Sequence, residues 1–235
     1  MWLATVLGAK LRLSPRVAII LLALGMAPTL VTPLIYAVYE VNSVGHKLAF
    51  TWLMQYGNSL AALPLGIIVV LGLIEGKPGA ERSSAIRVQR SALVYSLLLF
   101  GAGGVIGFLI VGSNVRVPAH YHGSIVAVTI AFMGVIYHLI PRLGFREISR
   151  KWTEWQPAVY GIGRLLHVLG LAWSGGYGVQ RKMAGSAQGL EGFQQTAGMG
   201  LMGFGGMIAI TGGIWFLVVV FVAVTQKRTV LAESG

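Results

Sequence analysis

Residues 119–147 read AHYHGSIVAVTIAFMGVIYHLIPRLGFRE. The part from 119 to 140 holds no charged side chain over 22 residues, and a helix needs roughly 20 such residues to cross a bilayer. Arg142 and Arg146 follow at once, as flanking cations do at a membrane edge. Within this lipid-compatible run lie His120, His122 and His138. Side chains of that type inside a membrane are functional candidates by default.

Working outward, five more stretches of the same character run at about 17–39, 50–74, 91–112, 157–177 and 199–224. The expected fold is therefore an all-α integral membrane protein with six transmembrane helices. Three parts are expected: an interfacial N-terminal segment (1–15), a six-helix transmembrane domain (16–226) and a cytoplasmic tail (227–235). Residues 1–13, with Trp2 at one end and Lys10 and Arg12 at the other, are short for a span. They read as an interfacial helix or, less well, as a signal peptide whose basic residues follow its apolar run.

Composition agrees. Of 235 residues, 55% are apolar and 11% charged, against roughly 25% charged in soluble proteins. Mean hydropathy is +0.75. A soluble globular domain and a disordered chain are both excluded. The 18 Lys and Arg outnumber seven acids, all of them Glu, for a net charge of +11. In a soluble protein that excess would suggest a nucleic-acid partner; in a membrane protein, loop charges explain it and no nucleic acid is implied. Thirteen of the 18 cations fall at the N-terminus, after spans two and four, and at the C-terminus. The positive-inside rule then puts both termini in the cytoplasm of a prokaryotic plasma membrane. The chain has no Cys, which excludes disulfides, thiolate-held clusters, thiolate copper sites and covalent haem attachment through a CxxCH motif.

Glycine is abundant, at 33 residues, with Gly101, Gly103, Gly104 and Gly107 in the third stretch and Gly200, Gly203, Gly205 and Gly206 in the sixth. Close helix packing explains them, and flat faces for a planar cofactor are compatible with it. His120 and His122 are two residues apart, so on a regular helix they point about 200° apart. They cannot share one metal ion, but each can hold a separate cofactor. His138 returns to the face of His120 about 27 Å further along the axis and reads as an interfacial or satisfied His. His46 precedes span two at the membrane depth of His120 and His122, as a surface His or a ligand. Arg164 and His167 share one face of span five, as a candidate proton path or as a structural pair bonded to carbonyls.

The 119–147 stretch resembles the tenth helix of the catalytic subunit of the haem–copper oxidase superfamily, with its His-x-His pair. The ending IPRLGFRE looks most like the cbb-type oxidases and the nitric oxide reductases. LLLFGAGGVIGFLIVGS is similar to the family's ninth helix, and GYGVQRKMAG resembles the segment after helix eleven that carries a basic pair. AALPLGI resembles the helix-eight Pro-x-Gly, and GHK falls where the family has its helix-seven His-His. Nearly the whole chain is covered, but only the second half of the family's twelve-helix unit.

What the resemblance implies is specific. His120 would be the axial ligand of a high-spin haem and His122 an axial ligand of a low-spin haem, both of b type. Arg181 and Lys182 would bind haem propionates, and His46 would be a copper ligand. In this family electrons pass from the low-spin to the high-spin haem for reduction of oxygen or nitric oxide. A second membrane subunit would supply helices one to six, and an electron-donating subunit or cytochrome would feed the pair within the lipid bilayer.

The pattern also departs from the family. Lys47 replaces the second copper-ligating His, so copper or non-haem iron is open. Gly112 and Ser113 stand where many oxidases have His-Asp. Where cbb-type enzymes carry a redox Tyr, this chain has Glu40 with Tyr39 beside it, which makes those two the catalytic candidates with His120. A degenerate member serving electron transfer or scaffolding alone is the rival reading, and a cofactor-free transporter is a third.

Overall fold

The computed structural model describes residues 1–57, 59–76, 84–146, 150–183 and 185–226, all helices and connections with no strand among them. The expected cytoplasmic tail, 227–235, lies outside the described residues, as do Lys77, Arg82, Lys227 and Arg228 among the cations that set the expected orientation. The chain forms two units, Met1–Gly79 and Ala80–Gly235.

In the first unit, α1 (Trp2–Val6) is a single short turn of helix that buries Leu3 and Ala4. The chain then runs non-helically along α4 (Ser59–Glu75), with the Lys10 N–H donating to the Gly72 carbonyl at 2.9 Å. A side chain at Gly72 would meet Leu11 at 2.9 Å. The helical part of the N-terminal segment is thus shorter than 1–13, because those residues dock by backbone on α4. Ser14 caps α2 (Pro15–Val38) by accepting the Val17 N–H, and Pro15 occupies the first helical position, where a missing N–H costs nothing. Gly25 lets α2 approach α4: a Cβ there would stand 2.9 Å from that of Ala61. Span two is interrupted, with α3 (Val44–Trp52) passing through a π-helical turn, Leu53–Gly57, on the way to α4.

The second unit packs α5 (Ser84–Phe108), α6 (Arg116–Arg142), α8 (Gln156–Gly176) and α9 (Phe193–Thr225), with the short α7 (Arg150–Glu154) between α6 and α8. Its core includes Leu99, Ile130, Val168, Ala209 and Val219. The α8–α9 seam is built on glycines seven apart, Gly163 and Gly170 on one helix and Gly198, Gly205 and Gly212 on the other. A Cβ on Gly163 would collide with the backbone of Ala209, on Gly170 with that of Met202, and on Gly205 with that of His167. Small residues in register let two backbones touch, which is how membrane helices gain packing energy without a hydrophobic drive. Buried Gln156 closes one end of the seam, accepting from the Tyr137 hydroxyl at 2.9 Å and donating to the Gly212 carbonyl at 2.9 Å.

Five runs are long and apolar enough to cross a bilayer: Pro15–Val38, Val44–Glu75, Ile86–Phe108, Arg116–Arg142 and Phe193–Thr225. The sixth expected stretch forms α8, which is 21 residues long. Arg164, His167 and several glycines leave it less apolar than the rest. It is also enclosed by its neighbours, with Tyr160, Val168, Leu171 and Ser174 buried.

Candidate functional site

The two histidines of α6 face different neighbours, as their spacing requires. His120 turns toward α5, its Nδ1 lying 2.7 Å from the Gly103 carbonyl. A carbonyl only accepts, so Nδ1 carries the proton and Nε2 is left with a lone pair. Gly107 makes room for this ring: a Cβ there would stand 2.8 Å from Nδ1. Gly103 also lets α6 approach closely, since a Cβ on it would lie 2.7 Å from the Ser124 nitrogen. The GG-x-x-G of α5 is therefore both a packing surface and the seat of His120.

His122 turns toward α8. Its ring meets that of His167 edge to face, centroids 4.9 Å apart and planes at 84°. His167 is anchored through Nδ1, which donates to the Met202 carbonyl of α9 at 3.0 Å, and its Nε2 is buried with no hydrogen-bond partner among the described residues. One turn away the Arg164 Nε is likewise buried without an acceptor, and its guanidinium lies 5.2 Å from the Tyr160 ring centre. Sequence placed Arg164 and His167 as a pair of their own; the structure brings them to His122.

The basic pair lies at the His end of α6. The loop after α8 is tied to the loop before α6 by the Val115 N–H donating to the Val179 carbonyl at 3.0 Å, with Asn114 and Gln180 bridged beside it. Arg181 Nε donates to the Ser113 hydroxyl at 3.0 Å, so the residue that departs from the family pattern supports the arginine. Lys182 is exposed and takes a positive φ of 67°. Arg116, to which sequence assigned no role beyond loop charge, folds against Gly175 and Gly176 and donates to the Leu109 carbonyl at 3.1 Å. His138 is buried near the far end of α6 with Nδ1 3.2 Å from Gln89 Oε1, a satisfied histidine as its position suggested.

In the first unit, His46 stands in the first turn of α3 rather than in a loop before it. Ser43 caps that turn by accepting the His46 N–H at 3.1 Å. The ring sits between Tyr36 (centroids 5.1 Å apart) and Phe50 (4.8 Å), with Nε2 buried and without a partner among the described residues. Tyr39 covers Gly45, where a Cβ would come within 2.6 Å of its ring. Tyr39, Glu40 and Lys47 are all exposed. Among the described residues no three His, Asp or Glu side chains converge on one point.

Fold and apolar helices define a helical membrane protein. No protein-family model matches the chain. It is similar to an uncharacterized protein of Rickettsia prowazekii (strain Madrid E), 38% identical over 213 residues, covering 76% of this chain and 41% of that protein. An uncharacterized protein of Aquifex aeolicus (strain VF5) is 28% identical over 117 residues, or 50% of this chain and 28% of that protein. The chain thus spans less than half the length of these relatives.

Proposed function

We propose that the chain is a haem-binding membrane subunit of a respiratory complex, corresponding to the second half of a haem–copper-oxidase-like catalytic subunit. One observation carries the reading. His120 and His122 diverge from one helix, and His120 holds its Nδ1 proton on the Gly103 carbonyl, leaving Nε2 as a ligand atom. Metal-ligating imidazoles are oriented in this way by a carbonyl on the other nitrogen. His122, whose ring has no hydrogen-bond partner among the described residues, suits an axial ligand on the opposite side. Haem needs one or two side-chain ligands, so lone histidines suffice. When bound, it supplies electron transfer and the reduction of oxygen or nitric oxide. Arg181, held by Ser113, and Lys182 lie at the same end of the helix bundle, where carboxylates at the membrane edge need cations.

In this reading α8 crosses the bilayer as the sixth span, screened by α6 and α9, and both termini lie in the cytoplasm of a prokaryotic plasma membrane. A partner subunit contributes helices one to six and another chain delivers electrons. The match to the Rickettsia protein takes in 41% of that protein, which leaves room there for both halves in one polypeptide. A second reading, electron transfer or scaffolding without copper, is favoured by Lys47, an exposed ammonium where a second imidazole would be needed. A pyridine haemochrome assay with metal analysis of the purified complex tests both. Absence of haem overturns the proposal; haem with stoichiometric copper or non-haem iron supports the first reading, and haem without either supports the second.

A further inference from the structure

Among the described residues of the second unit, Arg164 is the cation set deepest within a helix. It lies eight residues after Gln156 and twelve before Gly176, roughly 12 Å and 18 Å from the ends of α8 at 1.5 Å per residue. That is farther from either end than an arginine side chain extends, so with α8 spanning the bilayer it does not snorkel to water at either membrane surface. Its guanidinium rests on Tyr160, and its Nε is buried with no acceptor among the described residues. An arginine at such depth is stable only against a counter-charge or a set of acceptors.

The chain has no Asp, and its seven Glu lie at 40, 75, 81, 147, 154, 191 and 233. None is inside α5, α6, α8 or α9. Glu154 is engaged by Arg87 at 2.7 Å, and Glu191 lies in the loop before α9. Glu81, Glu147 and Glu233 fall outside the described residues, in stretches that sequence places between or beyond spans. Beside Arg164, His167 Nε2 is buried and lacks a partner among the described residues. Next to them on α9, a Cβ at Gly200 or Gly203 would meet nothing within 4 Å, and one at Gly206 would stand 3.4 Å from the His167 ring. A cationic, hydrogen-bond-hungry patch therefore adjoins a strip of open glycines, which is the surface a second helix can approach closely.

We infer that the α8–α9 face around Arg164 docks a transmembrane helix of a partner chain that presents a carboxylate at mid-membrane depth, ion-paired to Arg164. This rests on α8 lying in the bilayer, as proposed above, and does not depend on haem. The test reconstitutes the full chain in phosphatidylcholine vesicles with a labelled Leu/Ala helix carrying one central Glu. Association is read by energy transfer, with a central-Gln helix as the comparison. The Glu helix should associate about tenfold more tightly than the Gln helix. Arg164→Gln should abolish that preference, and Arg164→Lys should keep part of it. Equal association of the two helices, or an unchanged preference in Arg164→Gln, overturns the proposal. So does displacement of the Glu helix by anionic phosphatidylglycerol, which would make a lipid headgroup the counter-charge. Ile162→Cys, on the exposed side of α8, separates this from failure of the topology: labelling by an impermeant maleimide in intact vesicles would show that α8 is not embedded.

Discussion

At the residue scale, the orientation of the His120 ring is fixed by what it faces: the Gly103 carbonyl can only accept, so Nδ1 is the donor nitrogen and Nε2 points away from it. On the haem reading, His120→Ala should abolish carbon monoxide binding at a high-spin haem while the low-spin spectrum persists. His122→Ala should do the reverse, removing the six-coordinate signal. His138→Ala should leave both spectra intact, because His138 is occupied by Gln89 and lies about 27 Å along the helix. Optical spectra of the three variants, reduced with and without carbon monoxide, check all of this. Gly107→Val probes the same site from the other helix. Its side chain would press on the His120 ring, so carbon monoxide binding should fall several-fold while the low-spin band is kept. The Arg181–Ser113 bond was legible only in part. The cation could be picked out by its place in a motif, but its partner is 68 residues away in sequence and no local pattern announces it.

At the element scale, the glycine heptad between α8 and α9 holds the second unit together. Gly170→Leu puts a side chain against the Met202 backbone. Overpacking of this kind costs on the order of 1–3 kcal/mol, and here backbone rather than a movable side chain is in the way. Thermal unfolding in detergent, followed by circular dichroism, should show a clear drop in midpoint, whereas Gly203→Ala, whose Cβ meets nothing, should not lower it. Gln156→Leu strands the Tyr137 hydroxyl in the interior, at roughly 1–3 kcal/mol for a polar group left unsatisfied, and removes the side-chain bond to the Gly212 carbonyl. The same melting experiment reads it. The end of α6 was legible because charge marks it, at Arg142, whereas the start of α2 at Pro15 lies two residues before the expected stretch. The π-helical turn in span two was not legible, because an apolar run carries the same signal whether its hydrogen bonds close at i+4 or i+5.

At the scale of the whole molecule, the proposed orientation in the bilayer rests on the placing of the cations in the sequence. The chain has no Cys, so single cysteines report topology without a background. In right-side-out vesicles, Lys182→Cys should react with an impermeant maleimide, and Arg146→Cys should react only after permeabilisation. The opposite pattern would invert the proposed topology. The sequence by itself determined that this is a helical membrane protein, where its apolar runs fall, and that His120 and His122 diverge, because hydropathy and a 3.6-residue period are local properties. Tertiary structure alone decided that Gly103 and Gly107 seat His120, that His167 and Arg164 join His122, and that Ser113 supports Arg181. Each of those contacts joins different helices or loops, and which helix faces which is set by how their glycine and side-chain surfaces fit, information that no single stretch of sequence carries.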